Sequence, residues 1–297
     1  MKKKMFHFLD LLLILSFSVF VLLDSFLIPR TYAKVADTKT EEKADPVAYK
    51  GEAQITESSF EDGDISIEIK EYEYLDTTVY VADVRLTDIS QLYSALASDT
   101  YGKNVTETVS EIAEDNDAIL AINGDYYGAR NAGYVLRNGT LYRESSSDDD
   151  QEDLVILEDG SFRIIREGEV DASELEEEDV LQIYSFGPAL IENYEISVDQ
   201  NDEVGKAKAS NPRTAICEIE PLHYLLVVSD GRTDESEGLS LYELASFLEE
   251  FDVKTAYNLD GGGSSTMVFN GTLINNPTTS GRSVKERSVS DAICIGY

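Results

Sequence analysis

The chain is poor in the residues on which most metal and nucleophile chemistry depends. It has no tryptophan, two histidines and two cysteines in 297 residues. His7 falls in an apolar N-terminal stretch, so His223 stands alone in the rest. A multi-histidine zinc site is thereby excluded, and a Ser–His–Asp triad would have to be built on His223. That residue comes just after Pro221 and opens a strand-like run, which suits a packed or surface histidine better than a base. Cys217 and Cys294 are too few for a four-cysteine metal site, and spacing leaves open whether they are buried thiols or one disulfide. Bases are scarce as well, 24 Lys and Arg against 58 Asp and Glu. Four of those bases and two of the acids lie in residues 1–33, so the remainder holds 20 bases against 56 acids, a net charge of −36. Such a surface repels phosphate backbones, and no nucleic-acid partner is expected. No internal repeat is visible.

What is present is ordinary for a folded protein. An apolar content of 42% excludes wholesale disorder, and the length supports one large domain or two small ones. Lys2, Lys3 and Lys4 precede an apolar stretch whose longest charge-free run is Leu11 to Leu23. A basic start followed by an apolar run is an export signal. Thirteen residues suit a signal-peptide core, with Thr31-Tyr32-Ala33 as a small-residue cleavage site; alternatively Phe6 to Ile28 is long enough to anchor the chain, with Asp10 and Asp24 near the interfaces. The anchor is the preferred reading. Both readings make the membrane a partner of residues 1–33 and place the domain outside the cytoplasm, tethered or secreted.

Residues 34–58 are polar and aperiodic and read as a linker, followed by a domain over 59–297. Alternating β-branched and tyrosine-rich runs (ISIEIKEYEY, TTVYVADVRL) predict strands, and Asn138-Gly139, Asp159-Gly160 and Asn270-Gly271 predict hairpin turns. Asn104 to Glu107 is read as a helix N-cap with Glu at the third position, and Ser240 to Glu243 as a capping box. Leu241, Leu244, Ala245, Leu248 and Phe251 then form one apolar helix face. Many hairpins and few helices predict an α+β fold with largely antiparallel sheet. Residues 143–181 hold sixteen acids against three bases. Like charges repel and stay hydrated, so this segment is expected to be a solvated insert that tolerates shortening at Ser145–Asp153.

Three strand ends finish in acid-and-glycine loops: Asn123-Gly-Asp125, Asp230-Gly-Arg232 and Asp260-Gly-Gly-Gly-Ser-Ser. Carboxylates at the mouths of buried strands are held rigidly, as catalysis requires. Asp-Gly by itself is a common turn, so Asp230-Gly231 taken alone reads first as structural. The triple glycine asks for more, since one tight turn needs one or two glycines. Gly261, Gly262 and Gly263 can turn their N–H groups into an anion-binding nest, with Ser264 and Ser265 as added donors. Arg213 and Arg232 can each offer a bidentate fork to a phosphate. Tyr126, Tyr127 and Tyr257 sit where a sugar ring could stack.

AINGDYYG, YVLRNG, SFGPALI, NPRTAI, VVSDGR, AYNLDGGGSSTM and ERSVSDAI, in that order, resemble the phosphodiester glycosidase family, many of whose bacterial members are labelled exopolysaccharide biosynthesis proteins. The resemblance covers roughly residues 100–297. It implies an α+β scaffold and hydrolysis of a sugar from a sugar-1-phosphodiester, with a phosphorylated carbohydrate as substrate. By position it points to Asn123, Asp125, Arg213, Asp230, Arg232, Asp260, the 261–265 loop and Arg287. The acidic insert and Lys285-Glu286 before Arg287 depart from the pattern.

On that reading Asp260 or Asp125 serves as base or nucleophile, with Asp230 as a further candidate, and Arg213 and Arg232 hold the phosphate. Arg287 is either a further clamp or the ion-pair partner of Asp291. No cofactor is required; an alternative reading has the acids hold Ca²⁺ or Mg²⁺ through oxygen ligands. Rival readings are a tethered binder of phosphorylated glycans and a glycosyl-phosphate transferase.

Overall fold

The computed structural model describes residues 2–35, 53–176, 178–201 and 210–297. Most of the expected linker, residues 36–52, lies outside the described residues. The sheet begins earlier than expected, because Gln54–Ile55 already pairs with Ser59–Glu61.

Alternation decides the central sheet. Ile65, Ile67 and Ile69 are buried, while Glu68 and Lys70 between and beyond them face water. This period of two makes Ile65–Glu73 a strand with one wet face. It pairs along its whole length with Thr78–Leu86 in antiparallel register, Ile67 opposite Val84. Nine strands join here, in the order Glu195–Ile196, Ala189–Glu192, Thr255–Asn258, Arg213–Glu220, His223–Ser229, Thr78–Leu86, Ile65–Glu73, Ser59–Glu61 and Gln54–Ile55. A second sheet runs Thr272–Leu273, Met267–Phe269, Leu120–Asn123, Asp291–Ile295, Leu92–Leu96. A third runs Thr140–Arg143, Val135–Arg137, Val180–Tyr184, Glu152–Leu157, Phe162–Arg166. Every pairing is antiparallel. With four α-helices among the described residues, the class is α+β.

One face of the large sheet packs on the two smaller sheets around Ile67, Leu226, Ile122, Ile293 and Leu154. Its other face, through Val81, Ala215, Cys217 and Val227, packs on the helix Leu241–Glu249. Each such buried aliphatic side chain contributes about 1.5–3 kcal/mol, so the sheet is held from both sides. Cys217 and Cys294 are buried free thiols in different clusters. Burial pushes both thiols up, so they remain protonated and behave as small apolar groups.

The three hairpins form where the turn residues place them, with Asn138, Gly139, Asn270 and Gly271 all at positive φ. Ser240 and Glu243 make the expected reciprocal cap. The earlier cap is displaced: the helix is Val109–Asp115, capped by Thr108 and Glu111. Glu107 instead accepts from the Ser98 amide at 2.6 Å and hydroxyl at 2.7 Å. Both sites have a cap-like residue three before a glutamate; strand pairing of Thr100–Lys103 reaches too far for the first to open a helix.

The solvated reading of 143–181 is corrected. The segment supplies Glu152–Leu157, Phe162–Arg166 and Val180–Tyr184 to the third sheet, with a short helix at Ala172–Glu176. Its charge is concentrated at exposed positions, but Asp153 and Glu167 are buried. Burial opposes the ionisation of Glu167, and N–H groups from Ser147 and Tyr134, with the Ser185 hydroxyl, overcome it and hold the acid low. Asp153 sits beside it with its acidity strongly suppressed, first by burial and then by the Glu167 charge. One proton between two buried acids relieves what two charges could not.

At the N-terminus, a helix runs Lys2–Phe26 and the next strand, Arg30–Lys34, pairs with Thr100–Lys103. No helix among the described residues is long and apolar enough to cross a membrane.

Candidate active site

The loop after Leu120–Asn123 meets the loop after Thr255–Asn258. The Asp260 amide donates to the Gly124 carbonyl at 3.3 Å, and Asn123 Nδ2 donates to the Asp260 carbonyl at 2.6 Å. Asn123 Oδ1 accepts from Thr214 Oγ1 at 2.8 Å and from the Thr266 amide at 3.2 Å. Asn123 is fully buried and fully employed: it ties two sheets together beneath the site.

Above it opens a cleft of about 280 Å³ whose wall includes Asp260, Ser264, Arg287, Tyr126 and Ser290. Arg287 closes one side. Its Nη2 donates to Asp260 Oδ2 at 3.0 Å and to Ser264 Oγ at 2.5 Å, and its Nε reaches Ser264 Oγ at 2.8 Å. Arg287 therefore pairs with Asp260 and not with Asp291, which pairs with Arg137. Burial raises the Asp260 acid above its ordinary value, even though Arg287, the Ser264 hydroxyl and the Gly261 amide all favour its charged form. A carboxyl poised this way, on the wall of a cleft, suits proton exchange or attack on a bound group.

The glycine loop is a single tight turn, Gly262–Ser264, rather than an open nest. The Gly262 amide donates to Pro212, and the Ser264 and Ser265 amides donate back to Gly261 and Gly262. The three glycines serve close packing. At Gly262, φ is +63° and a β-carbon would lie 2.7 Å from the Arg232 guanidinium; at Gly263 it would lie 2.4 Å from Thr279 Oγ1. Ser265 is buried below the loop.

Arg232 lies against this turn. Its Nε and Nη2 donate to Asn211 Oδ1 at 3.2 and 3.0 Å, and its Nη1 to the Thr279 carbonyl at 2.7 Å. Burial lowers its pKa, and nearby Arg287 adds to that, so two guanidinium groups share one neighbourhood. Arg213 is placed differently. It shares a sheet face with Ala215 and Cys217, toward the helix Leu241–Glu249, and its Nε donates to the Leu239 carbonyl at 2.8 Å. The side chain that faces the site loops is its neighbour, Thr214.

Asp230 is buried too, and it does not line the cleft. Its carboxylate accepts from Asn275 Nδ2 at 3.2 Å and from the Asn276 amide and side chain at 2.8 and 3.0 Å. Asn275 in turn holds the Ser265 carbonyl at 2.9 Å, so Asp230 supports the glycine loop at one remove.

Asp125 lines the cleft, but its carboxylate is engaged inside the protein. It accepts from the Tyr127 and Ser185 amides at 3.0 and 2.9 Å and pairs with Arg137 at 2.8 Å. Arg137 also pairs with Asp291 at 2.9 Å and lies over the Tyr184 ring at 4.3 Å. This buried Asp125–Arg137–Asp291 bridge was missed by the sequence reading, which took Arg137 only as the end of a hairpin strand. Burial raises the Asp291 acid, with Arg137 opposing and Asp125 reinforcing the shift.

Of the three tyrosines, Tyr126 alone is exposed at the cleft. Tyr127 stacks on Tyr101, and the Tyr257 hydroxyl holds the Glu152 carbonyl. His223 pairs with Asp83 at the start of its strand, away from the cleft. Among the described residues, no three acidic, histidine or cysteine side chains gather as a metal ion would require.

Residues 116–296 match the family model described as phosphodiester glycosidase. The chain belongs to the phosphodiester glycosidase family. The segment is 34% identical over 212 residues to the human N-acetylglucosamine-1-phosphodiester alpha-N-acetylglucosaminidase, covering 63% of this chain and 39% of that protein. It is 28% identical over 206 residues to the SPbeta prophage-derived protein YomE of Bacillus subtilis (strain 168), covering 67% of this chain and 31% of that one. The chain thus spans about a third of the length of these curated relatives. The catalytic domain of the zebrafish N-acetylglucosamine-1-phosphodiester alpha-N-acetylglucosaminidase, described as auto-inhibited by its pro-peptide, superposes with a TM-score of 0.62. That match has 23% identity over 83% of this chain and 88% of the other, a shared fold. The family match takes in every candidate residue from Asn123 to Asp291, Arg137 among them.

Proposed function

We propose that this phosphodiester glycosidase family member hydrolyses the glycosidic bond of a sugar-1-phosphodiester in a cell-surface or exopolysaccharide-type glycan, outside the cytoplasm. The observation that carries the proposal is one cleft wall on which a buried carboxylate, Asp260, meets a half-exposed guanidinium, Arg287. The reaction needs both. A phosphate leaving group departs with little acid help but with negative charge to be held, and the anomeric carbon develops positive charge as it goes. Arg287 meets the phosphate, with Arg232 behind the glycine turn adding to the positive field. Asp260 activates water or attacks the anomeric carbon, and Ser264 orients the pair of charges. Tyr126 offers a ring face to the sugar. Asp125 and Asp230 act as positioning residues, through Arg137 and through Asn275.

Export is supported by Lys2, Lys3 and Lys4 ahead of the charge-free run Leu11 to Leu23, a pattern that keeps the lysines in the cytoplasm. The deciding experiment incubates the protein with a panel of sugar-1-phosphodiesters, with and without chelator, and follows reducing sugar and phosphomonoester. Release of both together, insensitive to chelator, is the expected result. Binding without release would establish a glycan-binding module, transfer to a second glycan would establish a transferase, and loss with chelator would establish a metal role.

A further inference from the structure

We infer that the cleft works at a membrane surface, on a sugar phosphodiester whose other end is anchored in lipid. The inference rests on the phosphodiester-cleaving reading and adds the physical setting of its substrate. It begins with the helix Lys2–Phe26. Leu11, Leu12, Leu13, Ile14 and Leu15 are each more than half exposed, so over this run the helix presents an apolar surface on every face. Such a surface is unstable in water and is covered by protein or lipid. Lipid is the occupant the charges favour: three lysines precede the run, and Asp24 and Arg30 close as an ion pair beyond it.

The end of this helix is built into the site. Phe26 and Leu27 line the same cleft as Asp260, Ser264 and Arg287. Asn104 Nδ2 donates to the Ile28 carbonyl at 3.2 Å, and the strand Arg30–Lys34 is paired onto Thr100–Lys103. At 1.5 Å per residue, Leu27 lies about 6 Å beyond Leu23 along the axis. That is about the depth of one headgroup layer, so the cleft sits at headgroup level. Lys34 and Lys103 make this edge basic in an otherwise acidic domain, the Arg30 charge being matched by Asp24, and so complementary to anionic headgroups. A sugar phosphate carried by a lipid moves within that layer, and Arg287 meets its phosphate without the lipid leaving the bilayer.

The test uses the full chain in liposomes containing anionic lipid. Two substrates are compared: a sugar-1-phosphoryl lipid in the same bilayer and the water-soluble glycerol diester of the same sugar phosphate. A variant carries ten Gly and Ser residues between Ile28 and Pro29, a flexible span of about 17 Å that lets the domain lift away while Arg30–Lys34 stays docked. Thermal melts of both proteins confirm that the domain remains folded. The insertion is expected to lower turnover of the lipid-linked substrate at least tenfold more than turnover of the soluble diester, and an equal loss on both would overturn the inference. Unchanged lipid-linked turnover would overturn the inference, as would a rise in soluble turnover, which would show that the helix end plugs the cleft. Cleavage of neither substrate by the unmodified chain would overturn the phosphodiester reading, and the inference with it.

Discussion

At the residue scale, the proposed function assigns some groups to the substrate and others to holding those groups still. Asp260 belongs to the first kind. Replacing it with Asn keeps its shape and its contacts to Arg287 and Gly261 but removes base and nucleophile, so Asp260→Asn is expected to lower turnover by about 10²–10⁴ with little change in melting temperature. A variant that keeps most of its activity would assign the chemistry to another residue. Because burial raises the Asp260 acid, the rate should climb with pH through an apparent pKa above that of an ordinary aspartate, and a pH–rate profile reads this directly. Arg137 belongs to the second kind. Arg137→Gln leaves Asp125 and Asp291 buried without their cation and should cost about 3–5 kcal/mol of stability, measured by chemical denaturation. Asp291→Asn leaves the Asp125 pair intact, so its cost should be clearly smaller.

At the element scale, two segments test the architecture. The acidic stretch 143–181 carries sheet strands, and removal of Ser145–Asp153 would take away the start of Glu152–Leu157 along with the Ser147 amide that steadies Glu167. That deletion is expected to unfold the domain or lower its melting temperature steeply. Within the segment, Asp153 has a folded-state pKa raised above its unfolded value. The folded protein therefore binds a proton that the unfolded chain releases, and stability falls as pH rises above the ordinary carboxylate range of about 4. Asp153→Asn should flatten that slope in melting curves between pH 5 and pH 8; an unchanged slope would mean that Asp153 is ionised. The glycine turn is the second segment. Gly262→Ala adds a β-carbon at positive φ against Arg232 and should cost about 1–2 kcal/mol while displacing that guanidinium from Asn211.

At the scale of the whole molecule, loops from two of the sheets and the end of the N-terminal helix line one cleft, and the charges on the two sides of residue 33 are opposite in balance. A reporter enzyme fused after Tyr297 should be active only outside the cytoplasm; activity confined to the cytoplasm would reverse the topology.

Much of this organisation was legible in the chain itself. Period-two runs such as Ile65, Ile67 and Ile69 specify strands, Asn-Gly pairs specify hairpins, and the Ser240–Glu243 spacing specifies a helix start, because each depends on residues within a few positions of one another. The loops bearing Asp260, Asp125 and Arg232 were also marked, since carboxylates and glycines at strand ends are local signals. The rest was decided by tertiary structure. Arg137 reads locally as the exposed end of a hairpin strand and is buried because Asp125 and Asp291 arrive from two other elements to pair with it. Asp153 reads as one of sixteen solvated acids and is buried because the strand alternation points it inward beside Glu167. Arg213 and Thr214 are neighbours in sequence, yet the pleat sends one toward the helix and the other toward the site. Charge and local pattern determine which groups a chain has to offer; which of them share a proton, a partner or a cleft depends on contacts between separate elements, and only the packed sheets set those.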